Sequence, residues 1–594
     1  MPSLELSGIS GNAIGAPFSI QYTNLPFDFK GSSLSPTMIK SPSIEYSKKI
    51  WWDCLLSRYG QSRPEAYAAI IKEILTLFRI STHWIAFFNV PRFLAILHNP
   101  EQRQCLQPSL VYAMLALATQ LTSWDGPGGR ELDGRLLGLK LNDHAHNSFW
   151  QSWNSGFINV DLAKAAFLMS LYEVSSHPLY TRTRASQSLV LLDAVIRVLN
   201  LTAMDADNPR ASRFQPDEIP RIPADARRVS PADYDELCLH AEQSIVNCSF
   251  WAACPRWSKP GSTYVDHVEI EKEEARRLCW SSSALAASAS TYGHNVWKTY
   301  NNLSIANTAN YALLFPGELL TEEADRIGKS SIWALYHTSS LIWHFSIRLH
   351  NDSSVSPKEK QKIFAKIWEA TEETESYFGA VISDNLVYEG QTWHAKVGSL
   401  AYVWQSIDWL ATSRFLIYDA LVETMNASEH IPNYPVDAAR RWLRVQASVA
   451  KMVCPGRAFS TDLTQRSVTM VEHRPFWIWW LIQQLARMIS MYERDPSLVD
   501  ILDIARGSFT PILDYLVNLY PSKVLAQTLS SRIFSRLNSL NERASHSYAV
   551  AFPASTAFGP RFPQLSSPLS DVSSCGGIEQ STTALPLLDE DVKP

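Results

Sequence analysis

The fold is decided by residues 83–121, which read HWIAFFNVPRFLAILHNPEQRQCLQPSLVYAMLALATQL. From Pro108 onward, one helical face consists of Leu110, Met114, Leu117, Ala118 and Leu121. The opposite face carries Val111, Tyr112 and Leu115, so little polar surface is left. A helix at the protein surface keeps one polar face, so this pattern predicts a helix buried inside a bundle. Pro108 suits the first helical turn, and the glycines of 126–129 predict its end.

The rest of the chain repeats the helical period. Apolar residues at helical spacing predict further helices at 65–80, 91–97, 131–150, 161–175, 183–201, 231–249, 268–292, 321–350, 357–380, 392–425, 435–453, 476–492, 498–519 and 522–544. Alternating strand patterns bounded by hairpin turns are essentially absent from the sequence, and no fixed-period repeat occurs. The sequence therefore predicts an all-α fold.

Composition divides the chain into three parts. Residues 1–47 are rich in Ser, Pro and Gly and predict a disordered lead-in, and residues 546–594 predict a disordered tail. Residues 48–545 form the predicted helical domain. Four prolines between residues 203 and 231 predict a long surface connection there, which we interpret as a seam between two halves of the domain.

The overall composition favours an intracellular globular protein. Hydrophobic residues make up 46% of the chain and charged residues 19%, enough for a substantial core. The net charge is −5 and no dense Lys/Arg block occurs, which argues against direct DNA contact by this chain. Eight dispersed cysteines indicate reduced thiols, as in the cytosol or nucleus. No secretory signal and no apolar run long enough for a bilayer occur, so we expect no membrane partner.

Motifs for phosphate binding and acyl transfer fail on inspection. Gly328-Lys-Ser330 lacks the glycine that a P-loop needs five residues earlier, where Glu323 stands. The glycines of 126–129 have neither the spacing nor the preceding strand of a dinucleotide loop. The segment 60–64 fails as a nucleophile elbow at its last position, which is Pro64.

The metal-like clusters are equally weak. Asp143-His144-Ala-His146 is the best of them, but residues two apart on a helix do not face each other, so the two imidazoles should diverge. The cysteines lack C-x-x-C spacing and partner histidines, and the relevant ones are Cys238, Cys248, Cys254 and Cys279. The sequence thus predicts no catalytic, cofactor-binding or metal-binding residue and no enzyme activity.

Three further features have a structural interpretation, and two of them also have a functional alternative. The run of small residues at 281–289 follows Arg276, Arg277 and Trp280, and close helix packing with an arginine–carboxylate pair is the first interpretation. A role in holding an effector pocket is the alternative. The pairs Glu273-Glu274 and 372–373 are interpreted as solvated helix faces. The acidic-hydrophobic segment 585–591 is interpreted as plain tail, with a short activation segment as the alternative.

Several segments, in their order and spacing, resemble one known family. They are residues 83–121, the upstream KIWWDCLL at 49–56, LAKAAFL at 162–168, EVSSHP at 173–178, LLDAVIRVL at 191–199 and RRLCW at 276–280. Together they resemble the fungal-specific transcription factor domain, the middle homology region of zinc-cluster transcription factors, with a spacing closest to basidiomycete members. The resemblance covers residues 48–320 well and extends loosely to about residue 544.

The resemblance implies an all-α regulatory body in a nuclear transcription factor. In that family, a six-cysteine zinc module near the N-terminus contacts DNA, and the helical region regulates activity, sometimes by sensing a small molecule. Here residues 1–50 contain no cysteine, so no zinc ligand can be transferred onto this sequence. A lost module, a mis-assigned start and a regulator that does not itself bind DNA all stay open, and zinc is expected only with a missing N-terminal cluster.

The resulting expectation is a nuclear regulator of RNA polymerase II transcription that reaches DNA only through a module not present here. Its partners would be a second copy of the chain or a zinc-cluster protein, and a small-molecule effector stays open. One alternative is a ligand-sensing or scaffold protein that acts only through partner chains. Another is an all-α enzyme with an unrecognised site in a tryptophan-rich cavity.

Overall fold

The structure, a computed structural model, describes residues 42–60, 62–123, 130–221, 267–292, 303–318, 332–385, 393–424, 473–522 and 529–540, with isolated positions at 439–447 and 542. Within these ranges 79% of residues are helical and 1% lie in strands, which confirms the all-α prediction. The labelled helices are α1 Pro42–Tyr59, α2 Arg63–Ile80, α3 Val90–His98, α4 Pro100–Arg103, α5 Pro108–Thr122, α6 Arg130–Asn154, α7 Val160–Val174, α8 Arg182–Val198, α9 His267–Tyr292, α10 Ile332–Asn351, α11 Pro357–Asn385, α12 Trp393–Thr424, α13 Trp477–Arg494, α14 Val499–Ile504 and α15 Thr510–Leu519.

Short polar residues fix where the helices begin. Asn89, Asn159 and Thr181 are the N-caps of α3, α7 and α8, and each side chain accepts a hydrogen bond from the backbone N–H three residues later. Such caps satisfy donors that the first helical turn leaves without a partner. Ser62 caps α2 in the same way, so the serine of the failed elbow motif has a structural role.

Helix α5 is buried on every side, as its sequence predicts. Every residue from Ser109 to Leu121 is buried, and Pro108 occupies the first turn. The helix packs against α2, α6 and α7. The apolar stretch therefore lies at the centre of the N-terminal group of helices.

Helix α9 links this group to the later helices. It contacts α7 and α8 from the first group and also α10, α12 and α13. Helix α10 in turn packs against α11 and α12. Because nearly every residue of α9 from Glu273 to Tyr292 is buried, this helix is as central as α5.

A two-stranded antiparallel sheet was not anticipated from the sequence. Strand β1, Ser212–Arg213, pairs with β2, Ala312–Leu313, in the register Ser212 to Leu313. The described part of the predicted surface connection at 203–231 lies mostly at the surface, but Asp205, Ala211 and Ile219 within it are buried. Asp205 forms a buried ion pair with α9, which holds this segment against the helix.

Other differences are smaller. Helix α1 begins at Pro42, inside the segment 1–47 that is predicted to be disordered. The predicted helix 498–519 is divided into α14 and α15 by a π-helical turn, Ala505–Phe509. The predicted helix 231–249 lies outside the described residues. By its internal contacts the chain divides into two units, residues 1–538 and 539–594.

Candidate functional site

Helix α9 carries four charged residues whose side chains are all buried, namely Glu273, Glu274, Arg276 and Arg277. Arg276 donates two hydrogen bonds to Asp205, from Nε to Oδ2 and from Nη2 to Oδ1, each of 2.8 Å. Arg277 Nε donates to Glu273 Oε1 at 2.8 Å. Bidentate, charge-assisted pairs of this kind are among the stronger hydrogen bonds in proteins. Here they attach the segment that contains Asp205 to α9.

The same carboxylates also hold the segment that contains β2. The backbone N–H of Leu314 donates to Asp205 Oδ2 at 3.0 Å, and that of Gly317 donates to Glu273 Oε1 at 2.8 Å. Although burial opposes the charge of Arg276, its bonds to Asp205 and its proximity to Glu273 raise the pKa of the guanidinium. Arg276 therefore keeps its positive charge inside this buried cluster.

This burial corrects one prediction and confirms another. Glu273 and Glu274 are 1% and 2% exposed, so the interpretation of this pair as a solvated helix face is wrong. The prediction that Arg276 or Arg277 pairs with a carboxylate is confirmed. Buried charges are tolerated when they are paired and hydrogen-bonded, and these are. The other predicted pair is different, since Glu372 is exposed and Glu373 is only half-buried.

A second set of ion pairs surrounds Glu274. Lys164 Nζ on α7 lies 3.0 Å from Glu274 Oε2, and Arg92 Nη1 on α3 lies 2.9 Å from the same oxygen. The backbone N–H of Asn89 donates to Glu274 Oε1 at 2.7 Å. Burial alone would lower the pKa of Lys164, but Glu274 and Asp161 outweigh burial and raise it. Glu274 therefore joins α3, α7 and α9 at one buried point.

Trp280 covers the core next to the charged part of α9. Its indole is fully buried and stacks on Tyr311, Phe315 and His337, with ring centroids 4.9–5.0 Å apart. Its Nε1 donates to the backbone oxygen of Leu314 at 2.8 Å. The packing interpretation of this segment is thus confirmed, while the effector pocket stays a prediction.

A further buried carboxylate, Glu173 at the end of α7, has several partners. Arg184 donates to both oxygens at 2.9 and 2.6 Å, and Asn142 Nδ2 donates at 2.8 Å. Two histidines lie near it, with His177 Nε2 at 3.3 Å and His146 Nε2 at 3.7 Å. Burial would raise the pKa of Glu173, but the neighbouring side chains of His146, His177 and Arg184 hold the pKa well below its usual value. Glu173 is therefore ionised at neutral pH.

The two histidines of the Asp143-His144-Ala-His146 cluster contact different partners, as their spacing predicts. His144 contacts Arg58, and its ring lies 5.6 Å from that of Tyr112, whereas His146 faces Glu173. Burial and the positive charge of Arg58 lower the pKa of His144. Within the part of the chain that the structure describes, no group of three or more His, Cys, Asp or Glu residues is arranged to hold a metal ion.

Another buried carboxylate connects the later helices. Asp408 on α12 accepts a hydrogen bond from Tyr292 Oη at 2.6 Å and one from Gln484 Nε2 at 2.9 Å. Arg487 Nη1 lies 3.5 Å from Asp408 Oδ1. Asp408 thus joins α9, α12 and α13 in the way that Glu274 joins α3, α7 and α9.

Several segments singled out in the sequence lie outside the described residues: 126–129, 328–330, the cysteines at 238, 248 and 254, and the acidic-hydrophobic end 585–591. Cys279, the fourth cysteine considered as a ligand, is buried in α9. Burial raises the pKa of its thiol, which keeps it protonated and unreactive.

The buried ion pair of Lys164 could have been predicted from the sequence. Lys164 is the single charge in the apolar run Leu162-Ala-Lys-Ala-Ala-Phe-Leu168, where a lysine needs a buried partner or an exposed face. Asp205 had no such signal, because it lies in a polar segment that resembles an ordinary loop. Its partner on α9 is 71 residues away in the chain.

No known family model, curated protein or solved structure matches this chain. A search of the described helices also finds none that combines the length and the apolar character needed to cross a membrane.

Proposed function

We propose that the protein is a nuclear regulator of RNA polymerase II transcription. In this proposal its helices form the regulatory, middle homology region of a fungal zinc-cluster-type factor. Contact with DNA is left to a zinc-cluster module that this sequence does not contain, supplied by a partner protein or by an additional segment.

The contact that carries this proposal is the meeting of three segments at Glu274. Residues 83–121 supply Arg92, residues 162–168 supply Lys164, and Glu274 lies two residues before the segment 276–280. These are three of the segments on which the resemblance to the family rests. Segments that characterise one domain are expected to pack together in its core, and the buried ion pairs satisfy that expectation.

The pairing of four cations around α9 agrees with a domain that regulates without binding DNA. Arg92, Lys164, Arg276 and Arg277 are all paired with carboxylates. A cation that neutralises a carboxylate inside the protein does not release counterions from phosphates, which is the main source of affinity for DNA. These four side chains therefore contribute to the fold and not to binding of DNA.

A tethering experiment tests the proposed function. The full chain is fused to an unrelated sequence-specific DNA-binding domain, and transcription from a reporter carrying the matching sites is measured in fungal cells. We expect transcription to differ from that with the DNA-binding domain alone. The fusion that carries Lys72→Met, an exposed position on α2, should behave like the wild-type fusion. Reporter output equal to that of the DNA-binding domain alone, with the fusion nuclear and bound, would contradict the proposal.

A further inference from the structure

A small cavity lies beside the Glu173 cluster, where the C-terminal helices approach the N-terminal group. Its volume is about 10 Å³. It is lined by α5, α6, the end of α7 and the residues that follow α15, through Gln120, Arg135, Tyr172, Ser176, His177, Pro178, Tyr520 and Pro521. A cavity of this size accommodates about one water molecule, and water occupies such a space when polar groups face it.

Two residues that line this cavity have a buried side-chain atom that makes no hydrogen bond or ion pair with the described protein. These atoms are Oε1 of Gln120, a residue that is 4% exposed, and Nδ1 of His177, a residue that is 2% exposed. The amide of Gln120 is oriented by its other end, because Nε2 donates to the backbone oxygen of Ser176 at 3.1 Å. Oε1 is therefore an acceptor that requires a donor.

The orientation of His177 indicates what its free nitrogen needs. Nε2 lies 3.3 Å from the ionised Glu173, and the ring packs on Tyr172 with centroids 5.1 Å apart. In the neutral form of the imidazole, the proton lies on the nitrogen that faces a carboxylate, which makes the other nitrogen an acceptor. In that form, Nδ1 of His177 is an acceptor that faces a donor, just as Gln120 Oε1 is.

These requirements define the chemistry of the ligand. It must donate two hydrogen bonds, and its charge must be compatible with the guanidinium of Arg135, which also lines the cavity. A halide ion cannot donate, and it would lie close to Gln120 Oε1 and near the charge of Glu173. An ammonium ion would meet the positive charge of Arg135. A neutral molecule with two donors satisfies the site.

We propose that this cavity is a binding site for one water molecule, which donates to Gln120 Oε1 and to His177 Nδ1. The water bridges α5 to the turn after α7, directly beside the chain that leaves α15. Ser176 Oγ donates to the Tyr520 backbone oxygen at 3.2 Å, and Arg135 donates to that of Leu519. The bound water therefore belongs to the contact that fixes the end of α15 against the N-terminal helices.

A crystal structure of the full chain tests the proposal, with crystals soaked in sodium bromide so that water and halide are distinguished. We expect one density peak about 2.7–3.2 Å from both Gln120 Oε1 and His177 Nδ1, without anomalous bromine signal. Absence of a peak, or a peak with bromine signal, would overturn the proposal. The wild-type structure decides it alone, whether or not a variant folds.

Two matched variants show whether the named acceptor holds the molecule. Gln120→Met keeps the side-chain length but removes the acceptor, and we expect the peak to disappear. Gln107→Met is the control, because Gln107 is a buried glutamine that bonds instead to the backbone oxygen of Phe157 and to Asn159. The peak should persist in this variant. A peak that persists in Gln120→Met would contradict the assigned hydrogen bond.

Discussion

Lys164 illustrates how single residues stabilise this protein. It is a buried cation in an otherwise apolar helix face, held by Glu274 and Asp161 at 3.0 and 3.1 Å. A buried charge is unfavourable unless it has a partner of opposite charge. Removing one partner therefore leaves an uncompensated charge in the core and destabilises the fold. The same reasoning applies to Arg276 with Asp205 and to Arg184 with Glu173.

Lys164→Met therefore should destabilise the protein strongly. The substitution leaves Glu274 with Arg92 as its remaining side-chain partner, and we expect the free energy of unfolding to fall by about 3 kcal/mol. Urea unfolding followed by tryptophan fluorescence measures the change. Lys72→Met on the exposed face of α2 is the control and should change stability by less than about 0.5 kcal/mol. Equal stability of the two variants would contradict the role given to Lys164.

His337 provides a prediction about pH. Burial lowers the pKa of His337 to about 3 from its ordinary value of 6.5. Between these values the unfolded chain binds a proton that the folded chain does not, so stability falls as the pH falls below 6.5. Between pH 6.5 and 5, the free energy of unfolding should therefore fall by about 2 kcal/mol less in His337→Phe than in the wild type. An unchanged pH dependence of urea unfolding in this variant would refute the prediction.

At the scale of elements, helix boundaries were the part most readily predicted. The predicted helices that begin at Pro108 and Pro91 match α5 and α3 within one residue at each end, because the preference of proline for the first helical turn is a local effect. The paired strands at 212–213 and 312–313 were missed, because two-residue strands leave no alternating pattern. Glu273 was misjudged, because a glutamate four residues before an arginine has the same pattern on a surface helix and in a buried pair.

The N-cap of α7 gives a test at this scale. Asn159 Oδ1 accepts from the backbone N–H of Leu162 and from Gln107 Nε2, each at 3.0 Å. Asn159→Ala removes the cap and leaves the buried amide of Gln107 with one partner fewer, so we expect a loss of about 1–2 kcal/mol in the free energy of unfolding. Asn154→Ala, at the exposed end of α6, is the control and should change stability little. A loss of the same size in the control would show that the cap is not responsible.

At the scale of the whole molecule, α9 is the element that the other helices share. Glu274 connects it to α3 and α7, and Asp408 connects it to α12 and α13 through Tyr292. The apolar stretch at 83–121 indicated the buried core correctly. The link between the earlier and later helices depends on pairs far apart in the sequence, such as Tyr292 with Asp408, which no local pattern encodes.

The absence of a dense Lys/Arg block from the sequence leads to a prediction about DNA. Purified full-length protein should bind DNA without sequence selectivity and more weakly than about 10⁻⁶ M at physiological salt. Gel shift with a labelled random-sequence library, repeated over a range of salt concentrations, measures this. Tight, strongly salt-dependent and sequence-selective binding would contradict it and would locate a DNA-binding surface in this chain.

Chromatin immunoprecipitation of the tagged protein, compared with RNA polymerase II transcription in cells with and without its gene, tests the proposed function most directly. We expect enrichment at discrete promoters whose transcription changes when the gene is deleted, and loss of that enrichment when the zinc-cluster partner is removed. A protein that is absent from chromatin in every condition, with transcription unaffected by its deletion, would contradict the claim that it regulates transcription.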